Sequence, residues 1–234
     1  MSMRRNFFVF DGKSSLDFNT FVATSTAWDG AVHDEEVIEV PGRNGAIVFS
    51  NGRYHNVEAN VDCYIPDGMR HNVDSLRAFL SSRHGYCRYE EAIKPDEFRM
   101  ARFAGPFSLS ESDRVGAAFT LVFDCKPQRF LKGGEIPISY SAGGTIYNPT
   151  EYEAKPLIRC YGTSGAISVG GVWMGVSACD SYIDIDCELM EAFEGNVNRN
   201  PNVGGEFPTL KPGANNVGFS GFSRIEITPR WWRI

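Results

Sequence analysis

The steadiest alternation in the chain runs from Val57 to Ile65. Val57, Ala59, Val61, Cys63 and Ile65 take one parity, and Glu58, Asn60, Asp62 and Tyr64 the other. Successive side chains of a strand point to opposite faces, so this segment predicts a strand with one buried and one wet face. Phe119, Leu121, Phe123 and Cys125 repeat the pattern, and shorter β-like runs occur at Phe7 to Phe10, Tyr86 to Tyr89 and Phe98 to Phe103. Later ones follow at Leu157 to Tyr161, Ala166 to Val169, Tyr182 to Leu189 and Arg224 to Ile227. One segment departs from period two. Val73, Leu76, Phe79 and Leu80 fall on a helical stripe, which predicts a single amphipathic helix over about residues 73–83 lying on a sheet. Asn72 is expected to cap it, Asp74 to suit its positive end, Arg83 and His84 its negative end, and Gly85 to stop it.

The breakers between these runs set the connections. Asp11-Gly12 reads as a turn, and Pro41-Gly42-Arg43-Asn44-Gly45 separates Val37 to Val40 from Ala46 to Phe49. Asn-Gly between apolar runs predicts a tight hairpin with two positive-φ residues, and Asn51-Gly52 predicts a second turn directly after it. From Lys132 to Pro156 the chain becomes rich in Gly, Ser, Pro and Asn, which places a domain boundary near residue 140. The fold class predicted is all-β with one helix, in two β-sandwich domains at 1–140 and 141–234. Gly195 to Asn216 reads as a long surface excursion of the second domain.

Composition narrows the function. With 42% hydrophobic residues and 17 Phe, 9 Tyr and 4 Trp, the chain has the makings of a packed protein and not of a disordered one. A net charge of −6 argues against sequence-independent nucleic-acid binding, which needs a cationic surface. No run of about 18 apolar residues is present to span a membrane. Met1-Ser2-Met3-Arg4-Arg5 leads into strand-like sequence without an export core, so a protein made and kept in a cytosol is expected. Cys63, Cys87, Cys125, Cys160, Cys179 and Cys187 form no CxxC pair, and several sit on apolar phases, so free structural thiols are expected.

Candidate chemistry is sparse. Asp184 and Asp186, near Glu188, share a strand face and would suit Ca²⁺ or a glycosidase, but they alternate with Ile183, Ile185 and Cys187 as the wet face of a half-buried strand should. His33, His55, His71 and His84 match no zinc spacing, no G-x-S-x-G elbow is complete, and no nucleotide-binding glycine motif occurs. No enzyme activity, metal or cofactor is expected. Trp173, among Gly170, Gly171 and Gly175, suits a hairpin with a packed Trp, with stacking on a sugar ring as the alternative. Trp231 and Trp232 would point to opposite faces, one into the core and the other to a domain seam or a neighbouring subunit.

Several motifs resemble one family in order and spacing: Phe7-Phe8-Val9-Phe10-Asp11-Gly12, the Pro41-to-Gly45 turn, Phe123-Asp124-Cys125-Lys126-Pro127, Lys155-Pro156-Leu157-Ile158, Phe207-Pro208-Thr209-Leu210-Lys211-Pro212-Gly213-Ala214-Asn215, and a close on Ile225-x-Ile227-x-Pro229-Arg230-Trp231-Trp232. Together they resemble the distal tail proteins of long-tailed bacteriophages. The resemblance implies a virion protein assembled in the host cytoplasm. Its N-terminal sandwich would form a homo-hexameric ring, and a galectin-like C-terminal sandwich would lie on the ring's outside. The ring would join the tail tube protein to a tail-tip hub or tail-associated lysin and hold receptor-binding or side-fibre proteins. DNA would pass through without specific binding, helped by a weakly acidic wall. Arg43, Asn44, Gly45, Asn51 and Gly52 are the expected subunit-contact residues, with an ordinary solvated turn as the alternative. A carbohydrate-binding sandwich is the rival function.

Overall fold

The computed structural model describes residues 6–25, 29–109, 111–112 and 115–234. The opening segment from Met1 to Arg5 lies outside them. The described chain is all-β with one α-helix, and it divides into two compact units, Met1–Arg129 with Ile234, and Phe130–Arg233.

The first unit contains β1 (Phe8–Phe10), β2 (Lys13–Ser14), β3 (Phe21–Ser25), β4 (His33–Ile38), β5 (Ile47–Tyr54), β6 (Val57–Ile65), α1 (Met69–Ser81), β7 (Cys87–Glu91), β8 (Glu97–Phe103), β9 (Glu111–Ser112) and most of β10 (Ala117–Leu131). Its main sheet runs β2-β1-β7-β8-β10-β6-β3, with β9 on β10. The expected alternation is kept along β6 and β10: Val57 faces Cys125, Val61 faces Leu121 and Cys63 faces Phe119, and all six are buried. Phe123 is the hub of the core, with ring centroids 5.3 Å from Phe10, 5.6 Å from Phe8, 4.8 Å from Tyr89 and 5.9 Å from Phe103. Asp11 and Gly12 both take positive φ, the conformation a two-residue hairpin loop between β1 and β2 requires.

The helix buries Val73, Leu76, Phe79 and Leu80 as its stripe requires, and Phe79 stacks on Phe18 at 5.3 Å. Its ends differ from expectation. It starts at Met69 with Gly68 as the N-cap residue at φ 63°, and Asn72 instead donates from Nδ2 to the Asp67 carbonyl at 3.1 Å. The Pro66-Asp67-Gly68 turn thus starts the helix a turn early and leaves Asn72 to staple it. At the other end Ser82 is the cap, its Oγ donating to the Phe79 carbonyl, and Gly85 lies three residues beyond.

The second unit contains β11 (Ile138–Tyr140), β12 (Gly144–Asn148), β13 (Leu157–Tyr161), β14 (Gly165–Val169), β15 (Val172–Val176), β16 (Tyr182–Asp186), β17 (Glu191–Glu194), β18 (Val197–Asn198), β19 (Val203–Gly205), β20 (Gly213–Ser220), β21 (Arg224–Thr228) and β22 (Trp232–Arg233). One sheet runs β11-β21-β13-β16-β17-β18 and the other β12-β20-β14-β15-β19. Ile158, Ile183, Ile185 and Ile227 from the first sheet share a single core with Ile146, Ile167, Met174 and Val217 from the second.

The division after Arg129 precedes the expected boundary, because the Gly- and Pro-rich stretch is not a linker. It supplies β11 and β12, which pair with β21 and β20. Gly134 is glycine for a packing reason, since a Cβ there would lie 2.4 Å from the Trp231 nitrogen, where the chain's end closes: Arg230 N–H donates to the Gly134 carbonyl. Nor is 195–216 a surface excursion. It holds β18, β19 and the start of β20, and it buries Leu210 and Asn215. Asn215 is compatible with burial because its amide is fully used, accepting from Lys211 N–H and donating to the Lys211 and Gly213 carbonyls.

Truncating Phe123 to Ala removes the ring on which four others pack. The expected loss is about 3–5 kcal/mol of unfolding free energy, read from the denaturant midpoint.

Candidate functional site

The feature least explained by self-packing is the β4–β5 hairpin. Among the described residues these two strands pair only with each other. Val37 faces Val48, Ile38 faces Ile47 and Glu36 faces Phe49, so Val37 and Val48 lie on one face and Ile38, Ile47 and Phe49 on the other. Val37 is 64% exposed, Val48 55% and Phe49 57%. Both faces of the hairpin therefore carry apolar side chains in water. A lone two-stranded hairpin is at best marginally stable, and an apolar one presents edges and faces open to pairing.

Its tip is not the tight Asn-Gly turn expected. Arg43 N–H donates to the Val40 carbonyl at 3.1 Å, and Gly42 has φ 82°, so Val40-Pro41-Gly42-Arg43 forms a type II-like turn. Proline presets the second residue of such a turn and glycine serves the third, and this overrides Asn44-Gly45. Only Gly45 of that pair is left-handed, at φ 82°. Arg43 and Asn44 are exposed at the tip.

Asn51 and Gly52 do not turn the chain either. They lie within β5, where His33 pairs with Tyr54 and Glu35 with Ser50, so three residues of β5 oppose Asp34 alone. This bulge is organised by the Asp34 carboxylate, which accepts from Asn51 Nδ2 at 3.1 Å and Arg53 Nε at 2.5 Å and lies 3.4 Å from His55 Nε2. The Arg53 and Asn51 hydrogen bonds hold the Asp34 pKa below its usual value. Gly52, at φ 68°, supplies the left-handed residue the bulge needs.

The hairpin's root is fastened by two residues that sequence reasoning missed. Arg99 Nη2 and Arg129 Nη2 both donate to the Asp29 carbonyl, at 2.8 and 2.7 Å, and both side chains are buried. Burial, followed by the neighbouring Arg99 charge, pushes the Arg129 pKa down to about 10. The signal was available: Arg99 shares the phase of buried Ala101, and Arg129 that of Phe123 and Cys125. A guanidinium on an apolar phase needs a buried acceptor, and here it is the backbone just before the hairpin.

In the second unit, Asp184 and Asp186 lie opposite the isoleucines of β16 as expected, but they are not wet. They are 3% and 5% exposed. Arg159 grips Asp184 with two hydrogen bonds of 2.7 Å, and Arg230 grips Asp186 with two of 2.8 Å. Each carboxylate is committed to a bidentate guanidinium, which fits an orienting role. Trp231 is buried in the second unit's core, while Trp232 stacks on Tyr152 at 4.5 Å and donates from Nε1 to the Glu153 carbonyl. Trp173 follows the Gly170-Gly171 hairpin turn, but it is not packed into the core: it is 59% exposed and lies across Gly175.

These features describe an all-β chain of two units whose first unit carries an apolar hairpin tied at its root by buried arginines. No family model matches the sequence and no curated protein matches it. Among solved structures, the chain has the fold of the Dit protein (gp 19.1) of phage SPP1, described as a paradigm of the hub adsorption apparatus in phages infecting Gram-positive bacteria. The TM-score is 0.76 at 15% identity, over 98% of this chain and 99% of that one.

Glu194 gives a pH-dependent test of the second unit. It accepts from the N–H groups of Asp180, Ser181 and Tyr182 and pairs with Arg199 at 2.7 Å, and the backbone bonds from Asp180 and Ser181 lead in lowering its pKa to about 2. A depressed carboxylate stabilises the fold above its unfolded pKa, and that contribution is lost as pH falls from the ordinary carboxylate range through about 2. Chemical denaturation between pH 7 and pH 3 should show a smaller loss of stability for Glu194→Gln than for the parent protein.

Proposed function

We propose that this chain is a structural protein of a phage tail, forming a homo-hexameric ring at the distal end that joins the tail tube to the tail-tip hub and its adsorption components. On this reading it works in the virion, is assembled in the host cytoplasm, lets DNA pass without specific binding and makes or breaks no bond. The second unit is galectin-like in this proposal and holds further tail components. The observation that carries the assembly role is the β4–β5 hairpin, which exposes Val37, Val48 and Phe49 on two faces. An apolar hairpin of this kind gains stability by being covered, and ring closure covers the same surface on every subunit. The full-length fold likeness to a hub protein supports the tail setting. Arg43, Asn44 and Gly45 then contact a neighbouring subunit at the tip, while Asn51 and Gly52 set the bend that aims it.

A second reading keeps one observation in its favour. The exposed Trp173 indole offers a flat face to a sugar ring. A saccharide platform predicts calorimetric glycan binding that Trp173→Ala abolishes, with the chain monomeric.

The assembly reading predicts that the parent protein gives six-fold rings by negative-stain microscopy. Val48→Lys with Phe49→Lys, one charge on each face, should yield folded monomers with unchanged circular dichroism. Gly45→Val, which strains a left-handed tip residue, should weaken assembly less than the double lysine variant. A parent protein that stays monomeric at micromolar concentrations overturns the reading.

A further inference from the structure

The turn between β16 and β17 presents an exposed apolar pair where the backbone is both strained and firmly held. Leu189 is 62% exposed and Met190 66%. Met190 has φ 55°, in the left-handed region that glycine or asparagine occupies at lower cost. A polar residue would suit the exposure and a glycine the geometry, yet the chain has Leu-Met.

The support beneath the turn is unusually complete. Asp186 Oδ1 accepts from the N–H groups of Glu188 at 3.0 Å and Leu189 at 3.1 Å. Arg230 closes on the same carboxylate from below with both terminal nitrogens, and Arg230 is itself left-handed at φ 57°. Burial favours the neutral acid, but the Arg230 bond and the two N–H groups outweigh it and hold Asp186 below its ordinary pKa. On the β17 side, Ala192 N–H donates to Asn200 Oδ1 at 2.6 Å. One left-handed residue, Arg230, thus grips the carboxylate that holds the turn containing the other, Met190. Backbone strain persists only where the surroundings over-determine it, and it gathers at binding and switch sites.

A held turn loses little freedom when its tip is bound, while the unbranched Met190 side chain adapts to the surface it meets. Glu188 and Glu191 flank the apolar pair, and the nearest cation to Glu188, Lys155, is a loose 3.9 Å away. We propose that Glu188-Leu189-Met190-Glu191 is a docking knob: Leu189 and Met190 enter an apolar socket on a different protein of the particle, and the two glutamates meet Lys or Arg on the socket rim. Charge selects that partner. A second copy of this chain carries fewer cations (23 Lys and Arg) than carboxylates (29 Asp and Glu), so it is the poorer match for two glutamates. The proposal rests on the reading of this protein as a tail component, but not on the β4–β5 hairpin or the number of subunits.

The test places the photo-crosslinker p-benzoylphenylalanine at Leu189 of the full-length protein, purifies virions, irradiates them and identifies the adduct by mass spectrometry. The expected product joins this chain to a different virion protein at a peptide carrying Lys or Arg beside apolar residues. An adduct only to another copy of this chain, or none while a crosslinker at Phe49 reacts, overturns the knob and leaves the tail reading standing. Virions that contain no copy of this chain overturn both. Leu189→Lys with Met190→Lys should lower the partner's occupancy in virions at least about tenfold. Met190→Gly should raise Tm by relieving the strain and lower occupancy more modestly. Unchanged occupancy in both variants overturns the proposal.

Discussion

Burying one face of the long strands is what holds each unit together, and the β4–β5 hairpin leaves that requirement unmet over two strands. Each apolar side chain fully withdrawn from water contributes roughly 1.5–3 kcal/mol. Phe123, Val61 and Ile185 collect that gain within their own units. Val37, Val48 and Phe49 do not. The same chain that aligns five buried apolar pairs across β6 and β10 with no register shift has left five large apolar side chains, counting Ile38 and Val40, at least partly in water on one hairpin. That contrast within one sequence is what the proposed assembly surface rests on.

The buried charges of this protein orient backbone. Arg99 and Arg129 are withdrawn from water and converge on one carbonyl, at Asp29, which fixes where the hairpin leaves the first unit. Arg230 and Asp186 fix the turn after β16, and the half-buried Glu194 gathers three consecutive N–H groups leading into the same strand. Removing water from a charge is costly unless its hydrogen bonds are replaced, so each of these groups is tied to partners set by the fold. The carboxylates that suggested metal or glycosidase chemistry are accounted for in this way: what looks like a reactive pair in the sequence is a pair of anchors in space.

Much of the scaffold was readable beforehand. β13 and the alternation of β6 follow from side-chain parity alone, and the helix stripe of Val73, Leu76, Phe79 and Leu80 follows from a period of 3.6. Local geometry was less readable where two turn formers competed. Pro41-Gly42 prevailed over Asn44-Gly45 because proline presets φ at the second turn position and Gly42 takes the positive φ of the third, and Gly68 prevailed over Asn72 because it directly follows the strand-ending Pro66-Asp67. At Asn51-Gly52 the local signal for a turn was met by a bulge, since Asp34 on the partner strand could satisfy the extra residues.

The linear pattern by itself determined that this is a β protein with one helix, which faces of its strands are apolar, and that no motif for nucleotide or zinc chemistry is present. Those properties depend on neighbours two to four residues away, which the order of residues states directly. Tertiary structure alone decided that Gly134 must admit the backbone of Trp231, that Arg99 and Arg129 share the Asp29 carbonyl, and that Asp184 and Asp186 are claimed by Arg159 and Arg230. These pairings join residues 25 to 100 positions apart. Their partners are chosen by which strands lie side by side, and no local spacing encodes that choice.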